Sequence, residues 1–413
     1  MNHDHIPDCG HDVLMSRTRL RGWPRPVTAL ATALAVAATL AACGADDDPD
    51  GDRDSGPEEA SQTPSATATS TPTPPAGKGD YAMARSETRE DSVYPEVGDP
   101  IVDALHYGLD LTWDPEQDEL TAVQTLTFRA TADSDTIPLD FNDVLEISSV
   151  TVDGLDVDSS VSGKDLTIAH PVTADQQYVL TLAYAGTPEP TPAPSERSDF
   201  KQGLGWNITD DHATWTLQEP RGAYTWYAAN DQPADKAFYD FTLRAPESWE
   251  GVANGVLTSD TTSGSGSDGT RTMAWHLAEP AATYLVTVAF GDFQHTDLKS
   301  KSGVPLQVWT DADGKALPGE TAYLPRAVDW VEKVLGPYPF DSLGILVVDN
   351  ESGMETQTMI TLGDTAYSLS GGTIVHEVVH QWYGDTVTPA DWSDVWMNEG
   401  MAMYLQGMWE AEQ

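Results

Sequence analysis

Two histidines four residues apart, the first followed directly by a glutamate, stand in Val375-His376-Glu377-Val378-Val379-His380-Gln381-Trp382. On a helix, residues i and i+4 share a face one turn apart, so His376 and His380 can offer their imidazoles to one cation. Glu377 projects about 100° round from His376, beside such a cation and not onto it. At the same angular step Ile374, Val375, Val378 and Trp382 form an apolar stripe roughly opposite the histidines, with Val379 at its edge. The helix would bury its back and aim its ligands into a cleft. The spacing by itself also fits two histidines on an ordinary polar helix face. Glu399, on the next predicted helix, narrows the choice. An antiparallel helix can return a carboxylate to the open side of the histidine pair, completing the two-histidine, one-glutamate donor set of a catalytic zinc with a free water position. Zinc suits these donors, and it provides a Lewis acid without redox chemistry. Glu377 then stands where a general base must stand, within reach of the water to be activated.

The elements that must position these residues are legible as a change of period along the chain. Between Ala104 and about Phe293 apolar residues alternate with polar ones over short runs: Leu109 to Trp113, Ala122 to Phe128, Val150 to Val152, Tyr178 to Tyr184, Phe238 to Leu243 and Tyr284 to Phe290. Turn clusters at Asp153-Gly154, Ser162-Gly163-Lys164 and Ser263-Gly264-Ser265 separate them, which favours an all-β, sandwich-like domain. After about Gly314 helical periods take over, over Ala322 to Leu335, Thr373 to Tyr383 and Ser393 to Met408, with a strand at Leu343 to Val348 between the first two. No internal repeat of fixed period is found.

The N-terminus reads as an address. Arg17, Arg19, Arg21 and Arg25 precede an uncharged Ala- and Leu-rich stretch from Val27 to Ala42, too short for a comfortable membrane span. It ends in Leu40-Ala41-Ala42-Cys43, which looks like a bacterial lipobox, with cleavage before a cysteine that receives the lipid; an ordinary secretory signal that happens to contain a cysteine is the alternative. Cys9 and Cys43 are the two cysteines, so cleavage leaves Cys43 alone, excluding a structural disulfide and a thiolate zinc site. The following tract of Asp, Pro, Ser, Thr and Ala holds almost no large apolar residue and is expected to be a disordered spacer. A net charge of −45 over 413 residues argues against nucleic-acid binding, since a phosphate-binding surface needs a positive field.

The run from His376 to Tyr404 resembles the signature of the aminopeptidase N-type zinc peptidases, peptidase family M1, of the gluzincin class. His376-Glu377, His380, Trp382, Gly384, Val387-Thr388, Trp392, Asp394, Trp396 and Asn398-Glu399-Gly400 all fall where that family has them. Upstream, Pro280-Ala281-Ala282-Thr283-Tyr284-Leu285 with Gly291-Asp292-Phe293 is similar to the strand closing the family's N-terminal β domain, and Asp231-Gln232-Pro233-Ala234-Asp235-Lys236-Ala237 resembles another marker of it. The resemblance covers roughly residues 90 to 413. It implies an aminopeptidase that hydrolyses N-terminal residues from peptides. It also implies a role for Ser352-Gly353-Met354-Glu355-Thr356, where the family usually has Gly-Ala-Met-Glu-Asn and the glutamate binds the substrate's free α-amine. Ser352 and Thr356 depart from that pattern. Glu219, in Leu217-Gln218-Glu219-Pro220, resembles the acidic residue that the β domain lends to the same amine pocket; a solvated turn carboxylate is the alternative reading. The family's oxyanion-stabilising tyrosine lies well beyond the third ligand. Tyr404 and Tyr383 do not match its position, which implies a catalytic domain cut short at Gln413.

Taken together, these readings predict an α+β multidomain chain: a lipoprotein signal peptide over 1–42, a disordered acidic linker over 43–90, a β-sandwich-like domain over 91–300, and a thermolysin-like, mainly α-helical zinc peptidase domain over 301–413. One Zn(2+) per chain, peptide substrates with a free N-terminus, no nucleic acid, and a lipid anchor on the outer face of the cell membrane complete the expectation. The oligomeric state stays open. Two other readings are a catalytically inactive surface binding relative and a zinc hydrolase of a non-peptide bond.

Overall fold

The computed structural model describes residues 81–194, 202–266, 269–311 and 323–413. The signal peptide, Cys43 and the spacer up to residue 80 lie outside the described residues. Residues 81–90, expected in the linker, instead pack on the β domain. The Ser86 amide donates to Asp103 Oδ1 at 2.9 Å and the Lys236 amide to Ser86 Oγ at 3.0 Å, while Tyr81 stacks on His106 with centroids 5.8 Å apart. Local composition hid this, because the partners lie far along the chain.

Alternation of apolar and polar residues produces the first strands as expected. They are Val102–Asp114 (β1), Glu119–Ala130 (β2), Ile137–Asp140 (β3), Glu146–Val152 (β4) and Leu155–Asp156 (β5). Ser159–Ser162 (β6), Asp165–Ile168 (β7), Gln177–Gly186 (β8), Gly205–Ile208 (β9) and Thr214–Leu217 (β10) follow. Lys236–Pro246 (β11), Glu250–Ala253 (β12), Val256–Ser263 (β13), Thr270–Ala282 (β14) and Val288–Gly291 (β15) complete the domain. Eight of them form one sheet in the order β13-β14-β11-β1-β2-β8-β4-β5, in which only β1 and β11 run parallel. β11 shows the cause: every second residue from Ala237 to Ala245 is buried and the others are partly exposed, so one face meets the core. A four-stranded sheet, β12-β15-β10-β9, closes the core from the other side around Trp113, Trp206 and Trp226. Tyr284 to Phe290 is not one strand. Thr283–Leu285 forms a 3-10 turn, fully buried, and pairing begins only at Val288. Burial on every side gives a helical turn and a strand the same apolar run.

The second half begins earlier than residue 301. Phe293–Lys299 (β16) pairs antiparallel with Pro305–Asp311 (β17), not with the β domain. Tyr323–Leu335 (α1), Leu343–Val348 (β18), Gly353–Met354 (β19), Met359–Gly363 (β20), Gly371–His380 (α2) and Trp396–Glu412 (α3) follow. The five strands are ordered β16-β17-β18-β20-β19, with β17, β18 and β20 parallel and β19 an antiparallel edge. β18 is buried at all six positions, as a central strand covered on both faces must be. Among the described residues this part is three helices packed on a five-stranded sheet. Ser370 caps α2 by accepting from the Thr373 amide at 3.2 Å, and the helix ends at His380, three residues before the predicted limit. The predicted helix from Ser393 divides into a 3-10 turn, Trp392–Asp394, and α3.

Gly255, between β12 and β13, ties the two halves together. Its amide donates to Thr358 Oγ1 at 2.7 Å and its carbonyl accepts from Ser342 Oγ at 3.1 Å. Its φ is +88°, and a β-carbon there would lie 2.0 Å from the His276 carbonyl oxygen. Gly255→Ala is expected to destabilise the protein by more than about 1 kcal/mol, read as a lower midpoint in thermal unfolding.

Candidate metal centre

The first three turns of α2 bury Ile374, Val375, Val378 and Val379 against α1 and the five-stranded sheet. Val379, placed at the stripe's edge by angular arithmetic, is fully buried; Trp382 lies past the helix end and packs edge-on against Tyr338 with centroids 5.6 Å apart. The opposite face carries His376 and His380, whose rings lie 4.8 Å apart. Helix α3 returns Glu399 to them as expected. Its Oε2 lies 3.4 Å from His376 Nε2 and its Oε1 lies 3.7 Å from His380 Nε2. A tetrahedral ion with bonds of about 2.0–2.1 Å needs donor atoms about 3.3 Å apart, so the triangle is close to the required size. Both Nδ1 atoms are already engaged, His376 with Gln406 Oε1 at 3.2 Å and His380 with the Tyr383 carbonyl at 3.0 Å. The Nε2 atoms are left to face Glu399.

Glu377 is buried beside this triangle and not in it; its carboxylate groups instead with Glu355 and His380. Glu355 arrives from the turn after β19. Its Oε1 lies 3.8 Å from His380 Nδ1 and is buried without a hydrogen-bond partner among the described residues. Glu219 enters from the β domain, and its carboxylate groups with those of Glu355 and Glu399. The structure thus brings together His376, His380, Glu399, Glu377, Glu355 and Glu219, all lining one cleft with Glu351, Tyr367 and Met403.

Burial pushes the carboxyls of Glu355 and Glu377 up to about 7; Glu399 adds to the rise at Glu355, while the two histidines oppose it at Glu377. Burial pulls the His380 imidazole down. It pulls on His376 as well, but Glu399 and Glu377 outweigh it and lift that imidazole to about 9. Five carboxylates and two imidazoles share the cleft, a negative excess that a divalent cation at the donor triangle would offset. Donor chemistry, spacing and charge all fit such an ion.

Sequence reasoning assigned no role to several residues that hold this geometry. Gln381, fully buried, donates from Nε2 to the Glu355 carbonyl at 3.3 Å and accepts through Oε1 from the Thr358 amide at 2.9 Å and the Tyr338 hydroxyl at 3.2 Å. It fastens the Glu355 turn to the end of the histidine helix. Lys236 donates from Nζ to the Asp385 carbonyl at 2.6 Å, and burial lowers its ammonium to about 8. Tyr284 donates to the Gly384 carbonyl at 3.1 Å, and Asn398 donates to the Tyr284 hydroxyl at 3.4 Å. Lys236, Tyr284 and Asn398 belong to the quoted motifs, and only the fold reveals that they converge on the loop after His380.

Residues 103–285 match the Peptidase M1 N-terminal domain model and residues 323–412 the Peptidase family M1 domain model. The chain belongs to peptidase family M1. Among curated members of family M1 it is 26% identical over 342 residues to aminopeptidase N of Streptomyces lividans, covering 75% of this chain and 37% of that one. It is 26% identical over 262 residues to the puromycin-sensitive aminopeptidase of Caenorhabditis elegans, covering 59% of this chain and 27% of the other. The chain therefore spans about a quarter to two fifths of the length of these M1 relatives. The crystal structure of an M1 zinc metallopeptidase from Deinococcus radiodurans superposes with a TM-score of 0.69 at 28% identity, over 79% of this chain and 74% of that one. A mutant of the Deinococcus enzyme is bound to a Tyr-Ser-Ala substrate, at TM-score 0.68 and 28% identity. The two-domain M1 fold with a mainly β N-terminal domain is shared with these structures.

Proposed function

We propose that the full-length protein is a zinc aminopeptidase that removes N-terminal residues from peptides. The observation that carries this reading is the position of Glu355. A buried carboxylate oxygen lacking a hydrogen-bond partner among the described residues, next to the His376, His380 and Glu399 donors, suits a substrate ammonium group and would set where the chain is cut. Zinc held by these three residues would supply a Lewis acid and a water of lowered pKa. Glu377 is placed to accept the proton of the attacking water and to return it to the leaving amine. Glu355 and Glu219 hold the α-ammonium from two domains, which fixes the first peptide bond, and no later one, over Glu377.

The finer fold assignment, a β-sandwich-like domain followed by a thermolysin-like catalytic domain, fits the sheet order and the antiparallel pairing of β19 at the sheet edge. We place the protein on the outer face of the cell membrane through a lipid on Cys43, on the strength of the basic cluster, apolar stretch and lipobox-like tetrapeptide. Neither the inactive binding relative nor the hydrolase of another bond is favoured by any feature of the cleft.

Metal analysis of the full-length protein should return a single zinc ion per chain. Chelation should abolish cleavage of aminoacyl fluorogenic amides, and added zinc should restore it. Absence of metal would favour a binding module, and bound zinc without amide cleavage would favour a different hydrolase. Loss of membrane association on Cys43→Ala tests the anchor separately.

A further inference from the structure

One face of α3 carries Glu399, Gln406 and Glu410 toward α2, at i, i+7 and i+11. Gln406 Oε1 lies 3.2 Å from His376 Nδ1, and Gln406 Nε2 donates to Glu410 Oε1 at 2.9 Å. An ionised carboxylate can only accept, so the amide must turn its NH2 group toward Glu410 and its oxygen toward His376. An amide oxygen can only accept as well. A cation bound at Nε2 would leave the ring's one proton on Nδ1, and the Gln406 oxygen accepts from that proton, so the amide suits the tautomer whose Nε2 lone pair faces the donor triangle. The helix opposite is shaped for this pair: a β-carbon on Gly372, in the first turn of α2, would lie 2.5 Å from Glu410 Oε1 and 3.1 Å from Gln406 Nε2.

We infer that Gln406, oriented by Glu410, is the positioning residue that fixes the tautomer and aim of His376 for the metal. His380 takes the same instruction from a main-chain carbonyl, which no substitution can remove, so the side-chain device on His376 is the adjustable half of the site. An amide performs this task without adding a charge to a cleft already lined by five carboxylates. The inference rests on the zinc reading above.

Zinc affinity of the full-length protein, measured by competition with a chelator of known strength, separates the two. Gln406→Leu is expected to weaken zinc binding about 10–100-fold, as loss of such an outer contact does elsewhere, with unchanged circular dichroism. Gln406→Glu keeps an acceptor at the same reach but loses the donor to Glu410, and is expected to bind zinc more tightly than Gln406→Leu. Glu410→Ala should fall between parent and Gln406→Leu. Parent-like binding by Gln406→Leu, or equal weakening by Gln406→Leu and Gln406→Glu, would overturn the inference while leaving the metal centre intact. A parent protein that binds no zinc would overturn both.

Discussion

Glu377→Gln is expected to lower amide hydrolysis by the full-length enzyme about 10²–10⁴-fold, the usual contribution of a general base, and to leave zinc in place. The substitution keeps size and shape, so the packing around a residue that is 6% exposed should survive. It removes only the capacity to take a proton. On the proposed reading the metal donors are His376, His380 and Glu399, and Glu377 stands outside their triangle, so zinc stoichiometry is the control that distinguishes a lost base from a lost ligand. Burial and the neighbouring carboxylates hold its carboxyl high, while the histidines hold it down. A zinc ion at the donor triangle would add a further downward pull and so favour the ionised, proton-accepting form. Turnover near the parent rate with zinc bound would remove Glu377 from the mechanism.

The donor set was legible because helical geometry converts a spacing into a face. His376 and His380 need nothing beyond the i, i+4 rule, and Glu399 needs only a returning helix. The β domain was legible for the same reason at period two, as β11 shows by burying alternate residues over its length. What stayed hidden depends on contacts between distant segments. Gln406 and Gln381 are single amides with no spacing signature, and each acquires its task from a partner 30 or 26 residues away, His376 or Glu355. Lys236 meets the Asp385 carbonyl across 149 residues. The boundary expected between residues 300 and 301 falls after β16, because alternation in β16 says that it is a strand and nothing about whether β17 or the β domain will pair with it. Burial defeated the period in the opposite way at Thr283–Leu285, where a 3-10 turn is enclosed on all sides.

Glu355→Gln should produce the second large loss, and of a different kind. The residue is fully enclosed, its main-chain carbonyl is held by Gln381, and its Oε1 has no partner among the described residues. A substrate ammonium group placed there makes a charge-assisted hydrogen bond in a desolvated pocket, and removing one partner of such a pair costs about 2–4 kcal/mol. That corresponds to a fall of about 30–1,000-fold in kcat/KM. Glutamine preserves volume and one acceptor, so the loss reports charge more than packing. Glu219 supplies a second carboxylate to the same pocket from the β domain, which should leave some recognition and keep the loss nearer the lower end of the range. The discriminating measurement is the ratio of kcat/KM for a free peptide to that for the same peptide N-acetylated. If Glu355 registers the α-ammonium, the free peptide should lose much more than the blocked one, and the ratio should collapse toward unity. An equal loss for both would mean that Glu355 acts through the metal centre, since its Oε1 lies only 3.8 Å from His380 Nδ1. An unchanged ratio with full activity would move the amine anchor to Glu219.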